Sequence, residues 1–103
     1  MMWYVLENIN FMGIASGGWG NGYVAVPPSH CLHGHCIIDH VEVHGGVTYN
    51  GYGYHFGAPK GWWVFGFDTA HFGDDLEKWP KEAVEEETKK LFHQLFEIEW
   101  GEL

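Results

Sequence analysis

The spacing of apolar residues predicts one long amphipathic helix in the last third of the chain. Apolar side chains recur at helical intervals along one face, at Val84, Leu91, Phe92, Leu95 and Phe96. Pro80 precedes them and suits the first helical turn, where its missing amide hydrogen costs nothing. Glutamates follow it, at the end of a helix where the dipole favours negative charge. We therefore predict a helix from Pro80 to Ile98.

Shorter apolar runs before the helix predict β-strands. The runs occupy residues 3–7, 11–15, 22–26 and 62–67. Pro27 and Pro28 end the third run, because proline cannot donate to a strand ladder. The last run is almost wholly apolar and aromatic, so we predict that it lies in the centre of the sheet.

A further segment, from His40 to His44, alternates apolar and polar residues. Val41 and Val43 fall on one face, whereas His40, Glu42 and His44 fall on the other. Such alternation is typical of a half-buried strand. The pattern thus predicts a strand that carries three potential ligands on its open face and that continues beyond the glycines that follow.

Together these elements predict an α+β fold. We expect residues 1–103 to form a single domain, since this length suits one hydrophobic core rather than two. Its sheet would contain about four or five strands, antiparallel or mixed, and the C-terminal helix would pack its apolar stripe on one face of that sheet.

Charge narrows the range of partners. The chain has 14 acidic residues against 5 lysines and arginines together, and its formal charge is −9. It contains no arginine, the residue most used to recognise phosphate and guanine, so general DNA or RNA binding is not expected. Most acids lie in the last 30 residues, where an acidic helix either keeps the domain soluble or faces a basic protein partner.

Two further patterns concern location. No apolar run approaches the roughly 20 residues that cross a bilayer, and the first residues lack the basic stretch of a signal peptide. We therefore expect a soluble, cytoplasmic protein without membrane association. In that compartment Cys31 and Cys36 are expected to be thiols rather than a structural disulfide.

Candidate chemistry concentrates at two predicted strand ends. One is His44 with the two glycines that follow it, and the other runs from Asp68 through His71 to Asp74. If the two strands are neighbours, these ends converge. Two imidazoles and two carboxylates suit zinc or manganese, and an open coordination position would let the metal activate water.

The same residues support other interpretations. Asp68 would orient His71 or His44 as a general base. The amides of Gly45 and Gly46 would approach an anion such as a phosphate. The plainest interpretation is that the carboxylates end turns and the histidines are polar residues near the core. No standard metal motif, G-x-S-x-G or phosphate-loop sequence is present, so serine-hydrolase and phosphate-loop chemistry are not expected.

A second cluster lies between His30 and Cys36, where three histidines and two cysteines fall within seven residues. Two of these donors would complete a tetrahedral zinc site only with residues from elsewhere in the chain. A surface loop enriched in histidine is the alternative interpretation.

Aromatic residues separated by glycines follow the first candidate strand end. Tyr49, Tyr52 and Tyr54 are not all expected in the core, and they would stack on a base or sugar or form a protein interface. Trp62 and Trp63 point to opposite faces of one strand. We expect one of them to pack in the core and the other to line the outer surface or an oligomer contact.

Three segments carry a resemblance to known proteins. They are Gly22-Tyr23-Val24-Ala25-Val26-Pro27 with His30 after it, then Val43-His44-Gly45-Gly46-Val47-Thr48-Tyr49, then Trp62-Trp63 with Gly66-Phe67-Asp68-x-Ala70-His71-x-Gly73-Asp74. On these residues the chain resembles a group of small uncharacterised bacteriophage and prophage proteins that share V-H-G-G-x-T and W-W with G-F-D-x-A-H-x-G-D motifs and a closing helix. The resemblance implies phage origin and a common site at His44, Asp68, His71 and Asp74, and it assigns no reaction.

The leading hypothesis is a phage accessory protein that counters host defence by binding a small anionic ligand such as a nucleotide signal. The residues expected to bind that ligand are His30, His44, Gly45, Gly46, Thr48, Tyr49, Trp62, Asp68 and His71. If the protein is an enzyme, His44, Asp68 and His71 are the candidate catalytic residues.

Two other hypotheses remain open. One is a hydrolase that depends on a divalent metal, zinc or manganese, held by His44, Asp68, His71 and Asp74. The other is a protein inhibitor of a host defence factor, acting through the acidic helix. For the ligand binder and the hydrolase, a homodimer or higher oligomer would complete a shared pocket in the host cytoplasm.

Overall fold

The computed structural model describes residues 1–8, 17–35 and 41–100 and confirms the α+β fold. Its elements are β1 (Met2–Glu7), β2 (Gly20–Val26), β3 (Tyr49–Tyr52), a 3-10 helix (Tyr54–Phe56), β4 (Trp63–Phe67) and α1 (Lys81–Trp100). The four strands form one antiparallel sheet in the order β1-β2-β4-β3. The predicted strand over 11–15 lies outside the described residues.

The strand β4 is central, as its apolar sequence predicts. It pairs with β2 on one side and with β3 on the other. Phe65 and Phe67 face the helix, whereas Val64 and Gly66 face away from it. The sheet therefore has two different faces, which we call the helix face and the second face.

The core lies between the helix face and α1. Val84, Leu91 and Leu95 are fully buried against Val24 and Phe65, so the predicted apolar stripe packs on the sheet. The stripe is narrower than the sequence indicates, because Phe96 remains 42% exposed.

One glycine sets how closely the helix approaches. A side chain at Gly22 of β2 would overlap with Thr88 of α1 and with the ring of Phe67. The absence of a side chain at Gly22 therefore allows β2 and α1 to lie close together at this position.

The second face carries packed aromatic rings rather than a helix. The ring centroids of Tyr4 and Tyr23 lie 5.3 Å apart, and Phe56 of the 3-10 helix lies 5.3 Å from both Tyr23 and Tyr49. Spacings of this size are favourable for aromatic pairs. They give this face a packed aromatic surface.

The predicted strand from His40 to His44 is wrong over the part that the structure describes. Residues 41–43 lie outside the sheet and run along α1 instead. The Glu42 amide donates to Oε1 of Gln94, and Nε2 of Gln94 donates to the Glu42 carbonyl, both at 2.7 Å. Val41 and Val43 still pack on the core, so the alternation is real but its partner is a helix side chain.

Within the described residues, no helix is both long enough and apolar enough to cross a membrane.

Candidate functional site

His44 and Asp74 form the centre of the predicted site. Nε2 of His44 lies 2.9 Å from each of the two carboxylate oxygens of Asp74. An ionised carboxylate only accepts hydrogen bonds, so Nε2 must carry the proton. The Asp74 side chain is only 6% exposed and that of His44 is 26% exposed, so the pair is largely shielded from water.

Backbone groups extend this pair into a brace between three parts of the fold. Asp74 Oδ2 also accepts the His71 amide at 3.0 Å, and the His71 carbonyl accepts the Asp74 amide at 2.9 Å. The His44 amide donates to Oε2 of Glu87 on α1 at 2.8 Å. The loop at residues 43–46, the loop at residues 71–74 and the helix are thereby tied together.

The His44 ring is also held by packing. Its centroid lies 4.2 Å from that of Trp79, with a tilt of 36°, and 5.4 Å from that of His71. The two histidines are therefore in contact, as the converging strand ends predict, although His44 does not lie at the end of a strand.

The surroundings of Asp74 shift its ionisation. Burial alone would raise the pKa of this carboxyl, but the hydrogen bonds from the His44 ring and the His71 amide and the nearby imidazoles outweigh burial and lower the pKa. Asp74 is thus held as a carboxylate, which suits an acceptor that organises two loops.

His71 stands beside a second carboxylate. Its Nε2 lies 3.2 Å from Oδ1 of Asp68, within ion-pair distance when the ring is protonated. The two groups are not aligned for a hydrogen bond, and this buried nitrogen has no hydrogen-bond partner among the described residues. Asp68 Oδ1 instead accepts the Ala70 amide at 3.0 Å and shapes the turn after β4.

The two glycines after His44, Gly45 and Gly46, make contacts with other groups of the protein itself. The backbone of Gly45 lies directly against the His71 imidazole, where a side chain would overlap with the ring. The Gly46 amide, expected to approach an anion, donates to the Val43 carbonyl at 2.9 Å. These contacts serve the turn and leave the Gly46 amide engaged.

The four candidate metal ligands form two neighbouring pairs, His44 with Asp74 and His71 with Asp68. In the part of the chain that the structure describes, no three histidine, cysteine, aspartate or glutamate side chains are grouped so as to hold one ion. The metal-dependent hydrolase therefore stays a prediction without a formed ligand set.

A cleft of about 210 Å³ opens on the second face beside these residues. It lies where β4 ends and β2 begins, and among its lining residues are Asn21, Tyr23, Thr48, Tyr49, Gly66 and Asp68. Asp68 lines the cleft and also lies beside His71, so it connects the cleft with the histidines. The cleft is thus the concave part of the predicted site.

Three lining residues, Thr48, Tyr49 and Asp68, are among those predicted from the sequence. Asn21 and Tyr23 were not predicted. Tyr23 lies opposite Gly66 across β2 and β4, and a side chain at Gly66 would overlap with its ring. Only the strand register brings them together, and the sole local signal is a glycine within an otherwise bulky central strand.

Several polar groups of the cleft present hydrogen-bond acceptors, beside the Thr48 and Tyr23 hydroxyls, which can also donate. Asn21 Nδ2 lies 3.4 Å from the Tyr23 hydroxyl, while its buried Oδ1 has no hydrogen-bond partner among the described residues. The Tyr49 hydroxyl donates to the Tyr52 carbonyl at 2.6 Å, so only its lone pairs remain available.

Four other predicted ligand-binding residues, His44, Gly45, Gly46 and His71, are not among the residues that line the cleft. Two more, His30 and Trp62, lie farther away. His30 is 3% exposed and belongs to the turn after β2, at the other end of the sheet. Its Nδ1 accepts the Leu32 amide at 3.0 Å, so Nε2 carries the proton and donates to the Leu95 carbonyl at 3.0 Å. Trp62 packs with Ala58 and Val64 beside the start of β4. The structure brings neither residue to the cleft.

The rest of the histidine and cysteine run is not grouped either. The His33 ring lies 2.8 Å from the Gly61 carbonyl, and Cys31 is an exposed free thiol. Cys36 lies outside the described residues, so of the two expected thiols the structure describes only Cys31.

Comparison with known proteins adds no relative. A scan against protein-family models, a search of curated proteins and a search of solved structures each find no match. The resemblance to small phage proteins therefore stays a prediction from the motifs, and the function must be argued from the site.

Proposed function

We propose that this protein binds a small ligand in the cleft between Tyr23, Tyr49 and Asp68. The observation that carries the proposal is the cleft itself: a concave surface lined by two tyrosines, a glycine and several polar groups. In small-molecule sites, polar groups placed in a concave surface fix the orientation of the ligand.

The size of the cleft limits the ligand. Its volume of about 210 Å³ is below the ~300–1,000 Å³ of pockets that enclose drug-sized molecules. A single planar ring system fits better than a whole nucleotide. Tyrosine faces stack on such rings, at about 1–3 kcal/mol per base in nucleic-acid complexes.

A nucleotide signal remains the narrower proposal, with a defined orientation. Its base would enter the cleft, and its ribose and phosphate would project from the mouth, because no lysine or histidine is among the residues that line the described cleft. The role as a phage accessory protein that counters host defence rests on the motif resemblance and is proposed together with the ligand.

Binding is favoured over catalysis by the chemistry of the lining. Thr48 supplies a hydroxyl, but no histidine lies among the described cleft residues to act as its base. A nucleophile needs such a base within hydrogen-bond reach. His44 Nε2 is engaged by Asp74, which leaves it better suited to holding loops together than to activating a substrate.

Isothermal titration of the full chain with adenosine, guanosine, cytidine, uridine and their 5′-monophosphates tests the proposal. At least one nucleoside should bind, and Thr48→Phe should weaken binding at least tenfold by filling the mouth while its backbone bond to Gly66 is kept. Ser29→Phe adds the same ring to an exposed turn away from the cleft and should leave binding unchanged. Failure of every compound to bind would overturn the proposal.

The protein inhibitor is a second candidate because of one surface feature. Phe72 is fully exposed on the loop that the His44–Asp74 pair holds, and Leu76 beside it is 50% exposed. Exposed aromatics on rigid loops often anchor protein interfaces. The exposed glutamates of α1, including Glu82 and Glu86, would complement a basic partner.

A phage-plating assay in defence-bearing host strains separates the two candidates. Loss of protection by Phe72→Ser with retention by Thr48→Phe would identify the inhibitor. The opposite result would identify the ligand binder. Both variants change exposed residues, so both are expected to fold.

A further inference from the structure

We propose that the cleft selects planar ligands that present an N–H donor, such as the exocyclic amino group of cytosine, over analogues that present a carbonyl there. This inference rests on the proposed function and names the ligand chemistry of the same site.

Asp68 is the main determinant. Among the described residues it is the only one with a charge that lines the cleft, and its side chain is 31% exposed. An ionised carboxylate offers about four acceptor positions and no donor. The Ala70 amide uses one of them and the His71 ring approaches the same oxygen, so acceptor capacity remains for a ligand.

Two neutral groups in the cleft also offer hydrogen-bond acceptors. The Tyr49 hydroxyl has its proton committed to the Tyr52 carbonyl and can only accept. The buried Oδ1 of Asn21 lacks a protein partner among the described residues. This oxygen is buried, so a ligand donor would reach it only if the amide rotates about the soft last torsion of asparagine.

A ligand that presents a carbonyl or phosphate beside Asp68 would place one hydrogen-bond acceptor against another. Both acceptors would lose their hydrogen bonds to water and gain none, so this ligand should bind more weakly. Two ligands of the same shape, one with an amino group and the other with a carbonyl at this position, should therefore differ in affinity by roughly tenfold or more.

Cytidine and uridine form such a pair, because an amino group and a ring acceptor in one replace a carbonyl and a ring N–H in the other. Titration of the full chain should give a dissociation constant for cytidine at least tenfold below that for uridine. Asp68→Asn should weaken cytidine at least fivefold and narrow the ratio, because an amide can also donate. Glu77→Gln removes an exposed charge outside the cleft and should leave the ratio unchanged.

The outcomes separate this inference from the proposal beneath it. If both nucleosides bind equally, or if Asp68→Asn leaves the ratio as it is, the donor selectivity is wrong and the binding proposal stands. Tighter binding of uridine than of cytidine would likewise show that the donor selectivity is wrong and would leave the binding proposal standing. If neither nucleoside binds but adenosine, compared in the same way with inosine, does so with at least tenfold preference, donor selectivity holds for a larger ring. If no nucleoside binds, both fail.

Discussion

Asp74 receives the His44 ring and the His71 amide on one carboxylate, with distances of 2.9 and 3.0 Å. One nearly buried side chain thus fixes two loops, and one of them continues into the turn that presents Asp68 to the cleft. His44 and Asp74, which the sequence marks as candidate site residues, do not line the cleft and instead join the two loops beside it.

Replacing Asp74 tests this connection between the two loops. Asp74→Asn keeps the shape but removes the charge and turns an N–H₂ group toward the His44 ring or the His71 amide. We expect a loss of about 1–3 kcal/mol in the free energy of unfolding, measured by urea denaturation. Glu77→Gln, an exposed change, is the control and should stay within about 0.5 kcal/mol of the wild type. Equal stability of the two variants would contradict the brace.

The loss of stability at low pH tests the same carboxylate, Asp74. The pKa of Asp74 is lower in the folded chain than its ordinary value, so its contribution to stability is complete above the unfolded pKa of about 3.9. That contribution is lost as the pH falls through the lower, folded pKa. Between pH 7 and pH 3, the wild type should therefore lose more stability than Asp74→Asn does. Parallel pH profiles would show that Asp74 is not stabilised as a carboxylate.

The glycines after His44 offer a matched pair of substitutions. Both have positive φ, 70° at Gly45 and 80° at Gly46, so alanine at either costs about 1–2 kcal/mol of backbone strain. A side chain at Gly45 would also overlap with the His71 ring, whereas Gly46 has open space around it. Gly45→Ala should thus be the more destabilising by about 1–3 kcal/mol in thermal or chemical unfolding. Equal losses would mean that Gly45 does not pack on His71.

Removal of the Tyr4 hydroxyl should not lower the free energy of unfolding. The oxygen is buried, with no hydrogen-bond partner among the described residues, and burial next to Tyr23 and Tyr49 raises its pKa. Tyr4→Phe should leave stability unchanged or raise it by about 1 kcal/mol at pH 7. A raised folded pKa means that stability is complete below the unfolded pKa of about 10 and is lost above it. The variant should lose less stability than the wild type at pH 11, and an equal loss would contradict the assignment.

The sequence predicts the helix and the central strand because their signals are local. Pro80 and the buried positions Val84, Leu91 and Leu95 share one turn-by-turn pattern, and the observed helix begins at Lys81. The apolar run at Trp62 to Phe67 likewise contains β4 within one residue.

The segment at residues 41–44 shows why local signals also fail. Its alternation fits a strand, but the backbone of Glu42 is satisfied by the Gln94 side chain, and that of His44 by Glu87. Both partners lie more than 40 residues away in sequence. Side-chain hydrogen bonds of this range leave no period in the sequence.

The cleft was only half predicted for a similar reason. Thr48, Tyr49 and Asp68 belong to a segment dense in polar and aromatic groups, which draws attention to it. Asn21 and Tyr23 belong to an ordinary strand and become lining residues only because β2 pairs with β4 in a register that places Tyr23 over Gly66. His30, also predicted to bind the ligand, lies away from the cleft, and its ring bonds to the backbone of Leu32 and Leu95.

The central claim, that the cleft holds the ligand, is tested most directly by titrating cytidine into ¹⁵N-labelled protein and following the amide signals by NMR. The account predicts shifts at the Asn21 side-chain amide and at the backbone amides of Thr48, Tyr49 and Gly66, with little change at His33 and Gly61 at the far end of the sheet. Shifts centred on that far end, or no shifts at millimolar cytidine, would contradict it.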